Sequence, residues 1–210
     1  MGNATYVWYA SYGSNMNRER FLCYVRGGQP EGAEIEEVGC SDPAHPIKET
    51  AHRLPFPLYF AQNSTRWQKK GVAFIGLTPL AGAYTYSRKY LITKEQFEDV
   101  VKQENNGLAF SIDIDDLKHR GKKAVLPSWY GTVLYAGEEE GFPIFTFTAK
   151  WKKEVPFHAP SFEYLRMIVK GLYVYVGLPQ REIVTYLRDK PGIAGNITEE
   201  ELWNLVNSVS

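Results

Sequence analysis

Tyr12-Gly13-Ser14-Asn15 sits directly after a β-branched and aromatic run, Thr5 to Tyr12 (TYVWYASY), and directly before a segment of helical spacing. At a strand-to-helix junction a glycine lets backbone N–H groups approach a ligand, and the helix start offers the positive end of a dipole. The N–H groups of Gly13, Ser14 and Asn15 can therefore hold a carboxylate or an oxyanion. Gly-Ser-Asn is also ordinary turn and N-cap chemistry, and the tetrapeptide alone leaves both readings open.

The second place is Glu104. Phe97, Val100, Val101 and Glu104 fall at i, i+3, i+4 and i+7, so this carboxylate continues an apolar helical stripe. Burial and a position in the last helical turn both disfavour the ionised form, which raises the pKa toward the range useful in proton transfer. Glu95 and Glu98 lie off that stripe. The alternative is a frayed last turn from which Glu104 simply reaches water. Walker A, GxGxxG, GxSxG and HExxH patterns are missing from the sequence. Cys23 and Cys40, with four scattered histidines, make neither a disulfide framework nor a zinc site.

These residues need elements to position them. The strand over Thr5 to Tyr12 is followed by a helix in NRERFLCYVRGG, with Phe21, Leu22 and Val25 on one face, Asn15 or Asn17 as cap and Gly27-Gly28 as stop. Residues 29–53 are rich in Gly, Pro and Glu and read as a long loop, a candidate flap. Strand-like runs follow at Pro57 to Gln62, Gly71 to Leu77 and Ala83 to Ile92. Thr93 and Gln96 form a capping box for the helix that carries Glu104 and stops at Asn105-Asn106-Gly107. Leu117 to Lys123 (LKHRGKK) reads as a solvated loop or edge, or as a phosphate contact. Two further strands, Ser128 to Ala136 and Pro143 to Ala149, flank an acidic turn. Beyond Pro160 the chain turns helical, with Ser161 as cap, Pro179 at a first helical position, and Thr198 with Glu201 as a second capping box. Strands in the first two thirds and helices in the last third predict an α+β fold with a mostly antiparallel or mixed sheet, whose short aromatic strands can close into a small barrel.

The chain has 210 residues, 44% of them hydrophobic, enough for a substantial core. Twenty-four basic residues balance twenty-four acidic ones, so no chain-wide field steers the protein onto nucleic acid or anionic lipid. A nucleic-acid reading would rest on LKHRGKK with Trp129 and Tyr130, and needs a basic face that this balance does not promise. No apolar run approaches a membrane span, the N-terminus lacks the design of a signal peptide, and Gly2 misses the myristoylation spacing, so the expected location is the cytoplasm. The sequons at Asn3, Asn63 and Asn196 carry little weight without secretion.

In this order, the two features resemble the gamma-glutamylcyclotransferase-like family. Its N-terminal YGSN segment is matched by Tyr9-Ala10-Ser11-Tyr12-Gly13-Ser14-Asn15-Met16, and its downstream catalytic glutamate by Gln103-Glu104. A third match is Pro160 to Gly171 (PSFEYLRMIVKG), similar to a PSxxYLxxIxxG segment of the family. The resemblance spans residues 5–177. It implies a small mixed β-barrel of about six or seven strands with flanking helices, covering residues 1–177; the helical pattern after Gly177 reads as an extension, residues 178–210, packed on the same domain. It also implies a cavity where the YGSN loop faces the glutamate, no metal or organic cofactor, and a small-molecule γ-glutamyl substrate. The α-amine of that substrate would attack its own γ-carbonyl, releasing 5-oxoproline, with Glu104 relaying the proton and Tyr12, Gly13, Ser14, Asn15 and Tyr164 binding substrate. The backbone N–H groups would serve either the α-carboxylate or the oxyanion. The sequence departs from the pattern at Ser11, at Asn105-Asn106 in place of a glycine, and in its extended 29–53 loop and C-terminus. Arg18, Arg20 and Arg53 can contact a carboxylate, although arginine on a surface helix or loop is solvated by default. The reading from a different class is a binding or regulatory module that keeps the fold without turnover. Oligomeric state is not readable.

Overall fold

The computed structural model describes residues 5–30, 36–151 and 154–209; the Gly2 and Asn3 readings and the middle of the 29–53 segment lie outside the described residues. In chain order the first elements are β1 (Tyr6–Ser11), α1 (Arg18–Arg26), β2 (Lys48–Leu54), β3 (Leu58–Ser64), β4 (Lys70–Ile75), β5 (Thr85–Thr93) and α2 (Lys94–Glu104). Then come α3 (Ile114–Arg120), β6 (Lys122–Ala124), β7 (Thr132–Glu139), β8 (Phe142–Thr148), α4 (Phe162–Lys170), α5 (Gln180–Arg188) and α6 (Glu199–Asn207). The residues gather into two units, one of Met1–Ala10, Arg18–Thr50 and Lys89–Lys150, the other of Ser11–Asn17, Ala51–Arg88 and Trp151–Ser210.

A six-stranded sheet has the order β2-β5-β1-β8-β7-β6. It is mixed: β1 runs parallel to β8, with Trp8 opposite Ile144 and Tyr9 opposite Phe145, while β7 is antiparallel to β8 and to β6. The expected α+β class is present, but the expected barrel is not. Among the described residues the sheet ends at β2 and β6, and β3 with β4 forms a separate two-stranded sheet. The edges explain why. β6 is three exposed residues and β2 is largely exposed KETAHRL, so neither end carries an apolar face that closure would bury.

The core of the first unit is aromatic. Phe21 stacks on Tyr90 at 4.0 Å and Tyr9 on Phe147 at 5.3 Å, with Phe97, Phe145 and the valines of α2 filling in around them. Offset stacks of this kind add about 0.5–1.5 kcal/mol each beyond the area they bury. The capping box of α2 forms as the sequence predicts, Thr93 accepting from the Gln96 N–H and Gln96 from the Thr93 N–H. One expectation changes here, and another is met at the exposed edge strand while a helix takes the place of its loop. The 29–53 segment is no continuous loop, since Gly28 bridges to Glu37 and β2 begins at Lys48. LKHRGKK is the end of α3 and the start of β6, with Asp113 as N-cap and Gly121 at φ 71° ending the helix. Its cations pair with carboxylates: Lys118 with Glu138, Arg120 with Asp116 at 2.5 Å and Lys123 with Asp116 at 2.6 Å. Those two cations hold the Asp116 carboxyl below its ordinary range.

In the second unit β3 and β4 bury Leu58, Phe60, Val72 and Phe74, and Gln68 and Lys69 in left-handed backbone turn the chain between them. Leu165, Ile168, Val169 and Leu172 form the buried stripe at the i, i+3, i+4, i+7 spacing that folds α4 onto its neighbours. Ser161 caps α4 and the Thr198–Glu201 box caps α6 as predicted; Pro179 is the N-cap of α5 rather than its first helical residue. Residues 178–210 form α5 and α6, which pack together, and α6 packs on α4. Past α4 the chain widens into a π turn, Gly171–Tyr175, closed by the Val176 N–H donating to the Gly171 carbonyl at 3.0 Å. Among the described residues no helix is long and apolar enough to cross a membrane.

Candidate functional site

The predicted site residues fall in both units: Tyr12, Gly13, Ser14, Asn15 and Tyr164 in the second, Glu104 in the first. The loop after β1 is not the start of a long helix. Ser14–Met16 make a single 3-10 turn, in which the Met16 N–H donates to the Gly13 carbonyl and the Asn17 N–H to the Ser14 carbonyl, both at 3.1 Å. Extended backbone at Asn17 (φ −69°, ψ 117°) separates this turn from α1. The full helix dipole expected at the loop therefore belongs to α1, which begins at Arg18. Tyr12 and Asn15 are buried, and Gly13 and Ser14 half-buried.

Within the second unit the structure brings Gly13 and Tyr164 together. A Cβ on Gly13 would lie 3.2 Å from the Tyr164 hydroxyl, so glycine is what lets the loop backbone reach that oxygen. Tyr164 is 4% exposed; its hydroxyl accepts from the Ala73 N–H of β4 at 3.2 Å, and its ring packs on Trp67 at 4.9 Å. Tyr164→Phe is expected to cost about 0.5–1.5 kcal/mol, the usual net worth of one such hydrogen bond, read as a lowered urea midpoint at unchanged m-value. Behind the loop, Gly171 lies against Met16, and the Asn17 amide approaches the Met167 sulfur at 3.8 Å.

Glu104 is the last residue of α2. Phe97, Val100 and Val101 on its stripe are fully buried and Glu104 is half-buried, so the stripe is real and the carboxylate sits at its margin. Glu98 is tied down by its own partners, Lys94 at 2.8 Å and the Ile112 N–H at 2.6 Å, and Glu95 is exposed. The arginines are engaged as well. Arg18 pairs with Glu49 at 2.8 Å, and Arg53 donates to the Tyr86 hydroxyl at 2.9 Å. Arg20 departs from the solvated default: it is 4% exposed, within 3.7 Å of the buried Glu37 carboxylate.

Sequence reading missed two features. One is the packing of two amides at the end of α2, the half-buried Gln103 and the buried C-cap Asn105, for which the polar run around them gave no signal. The other is a shallow cavity of about 200 Å³ in the second unit, walled by Tyr84, Tyr186, Glu182 and Lys190. The signal for that was the i, i+4, i+8 spacing of Glu182, Tyr186 and Lys190. Lys190 lies 4.2 Å over the Tyr186 ring, and burial lowers its pKa. Both cysteines are free thiols. Burial, with Asp99 and Asp42 nearby, pushes the Cys40 thiol up to about 12. Iodoacetamide at pH 8 is therefore expected to spare Cys40 in the folded protein and to modify it in urea. Because the folded value lies above the ordinary 9.0, the stability this thiol contributes is intact below pH 9 and is lost as the pH rises through about 12.

No family model matches the sequence. Over 203 residues the chain is 36% identical to an Arabidopsis thaliana protein named histone deacetylase 5, an alignment that takes in 86% of this chain and 30% of that protein. This chain thus spans about a third of the relative's length. Two solved structures cover nearly the whole chain: an uncharacterized human protein, with TM-score 0.53 and 18% identity over 96% of this chain and 98% of that one, and a gamma-glutamyl cyclotransferase, with TM-score 0.53 and 17% identity over 97% and 99%. The fold is that of the gamma-glutamyl cyclotransferases. In this cyclotransferase fold the YGSN turn and Tyr164 are carried by the strand-end loop and α4, and Glu104 by the C-terminal end of α2.

Proposed function

We propose that the chain is a gamma-glutamyl cyclotransferase-type enzyme, releasing 5-oxoproline and an amine or amino acid from a γ-glutamyl substrate. The observation that carries this reading is Glu104, a half-buried carboxylate closing an otherwise fully buried stripe, in a chain with the cyclotransferase fold. The substrate already holds nucleophile and carbonyl on one molecule, and intramolecular closure of an aligned pair reaches effective molarities of about 10⁵–10⁸ M. The protein's tasks are to fold the substrate and to move protons. Glu104 takes a proton from the α-ammonium, the freed amine forms a C–N bond to the γ-carbonyl carbon, and the tetrahedral intermediate collapses. Its bond to the leaving nitrogen breaks as that nitrogen takes up the proton from Glu104; the regenerated carboxylate then takes the second proton from the ring nitrogen and passes it to the departed amine, which leaves as an ammonium. The Gly13, Ser14 and Asn15 segment, with Tyr12 and Tyr164, supplies the substrate-binding groups.

The test is 5-oxoproline release from a panel of γ-glutamyl dipeptides, γ-glutamyl amines and glutathione, with Glu104→Gln alongside. Release by the parent chain alone is the expected result; silence across the panel from folded protein sinks the assignment. A second reading is favoured by one finding, the 36% identical relative that carries another enzyme's name and is about three times as long. In that reading the chain is a small-ligand-binding or regulatory module of a longer protein. Calorimetric binding of a γ-glutamyl compound without turnover would select it, and an acetyl-lysine peptide in the same panel tests the chemistry in the relative's name.

A further inference from the structure

Resting on the reading of Glu104 as the proton relay, we infer that Asn105 is the residue that positions it. The last turn of a helix leaves carbonyls without intrahelical donors and tends to fray, which is a poor place for a group that must meet a substrate within tenths of an ångström. Here the turn is pinned. Asn105 is 1% exposed, and both ends of its amide are used. Its Nδ2 donates to the Val101 carbonyl at 2.6 Å, inside the turn that carries Glu104, and to the Tyr130 carbonyl at 3.3 Å; its Oδ1 accepts from the Ser128 hydroxyl.

The receiving loop is itself rigid. The Val125 N–H donates to the Gly131 carbonyl at 2.8 Å and the Gly131 N–H to the Ser128 carbonyl at 3.2 Å, a closure so tight that a Cβ on Gly131 would lie 2.1 Å from the Leu126 carbonyl oxygen. Tyr130 then stands edge-on to Phe147 of the aromatic core at 5.9 Å. On the other side of Glu104, the Gln103 amide donates to the Tyr24 carbonyl at 2.9 Å and accepts from the Gly39 N–H at 3.2 Å. Glu104 is thus the residue between two anchored amides. Past Asn105 the backbone turns left-handed at Asn106 (φ 56°) and Gly107 (φ 80°), so the helix cannot continue and the pin sits at its end. Asn105 touches no reacting atom in this scheme and acts only through Glu104.

Asn105→Ala is expected to lower kcat for 5-oxoproline release by about 10–100-fold, the scale of a misplaced catalytic group, with KM changed by less than about threefold. In the Glu104→Gln background the same substitution is expected to cost nothing further. Amide exchange over residues 101–107 is expected to accelerate by about tenfold. Ser128→Ala, which removes one hydroxyl, is expected to shift all of these in the same direction by less, and it decides the matter should Asn105→Ala not fold. Parent-like kcat and exchange in both variants overturn the inference, as does an equal loss of kcat with and without the Glu104 carboxylate. A parent chain without turnover, or an active Glu104→Gln, instead removes the cyclotransferase reading; exchange over residues 101–107 then still decides whether Asn105 holds the turn that carries Glu104.

Discussion

Glu104→Gln is expected to fold as the parent does and to release 5-oxoproline about 10²–10⁴-fold more slowly, the range that a positioned general acid–base contributes. The amide keeps the shape and hydrogen-bonding reach of the side chain and removes only its ability to carry a proton. An ammonium has no lone pair with which to attack, so the loss should appear mainly in kcat, with KM close to its parent value. Circular dichroism and the urea midpoint check the fold, and a discontinuous 5-oxoproline assay checks the chemistry. Parent-like turnover would mean that some other group moves the proton.

Gly171→Ala is expected to lower stability and turnover together. The glycine is not there for its conformational freedom, because its backbone is ordinary helix at φ −59° and ψ −47°. It is there for proximity: a Cβ would lie 2.6 Å from the Met16 Cβ and 3.3 Å from the Met16 carbonyl carbon. Met16 is fully buried in the 3-10 turn that follows Gly13, so it has little room to yield. Alanine gains up to about 1 kcal/mol of helix propensity over glycine. Overpacking of a filled site costs about 1–3 kcal/mol, so the clash is expected to win. If the turn gives way instead of the helix, the YGSN segment shifts, and a displacement of about 1 Å at a binding group can cost 10²-fold in rate. Urea unfolding and kcat, measured on the same preparation, separate the two costs. Lower stability with parent-like kcat would show that the placement of the turn is unimportant to catalysis.

What was legible in the sequence was whatever local chemistry fixes. Thr93 with Gln96, Thr198 with Glu201, and Ser161 each announce a helix start because the capping hydrogen bonds involve residues three apart. The stripe through Phe97, Val100 and Val101 and the strand before Gly13 were readable for the same reason. Helix α3 could have been found from Asp113 and Gly121, its cap and its stop, but the basic run between them drew the eye to charge. Strand β2 was hidden because KETAHRL is an edge strand, mostly exposed, with neither alternation nor β-branched density to mark it. The open sheet was not legible either, since barrel closure depends on which strands stand at the ends. Asn105 is legible as a helix stop and as a departure from a glycine; its partners lie at Val101, Ser128 and Tyr130, and only the fold brings the last two beside it.

The parallel pairing of β1 with β8 has a consequence for how the chain is made. Trp8 meets Ile144 and Tyr9 meets Phe145, so the strand that precedes all others of this sheet in the sequence waits for the strand that follows them all. At synthesis rates of about 5–20 residues per second that interval is on the order of ten seconds. Throughout it the nascent chain carries Val7, Trp8, Tyr9 and Ala10, all buried in the finished protein, with one backbone edge unpaired. A newly made copy is therefore most exposed to misassembly at β1, and a truncation that removes β8 should leave β1 a target for chaperones.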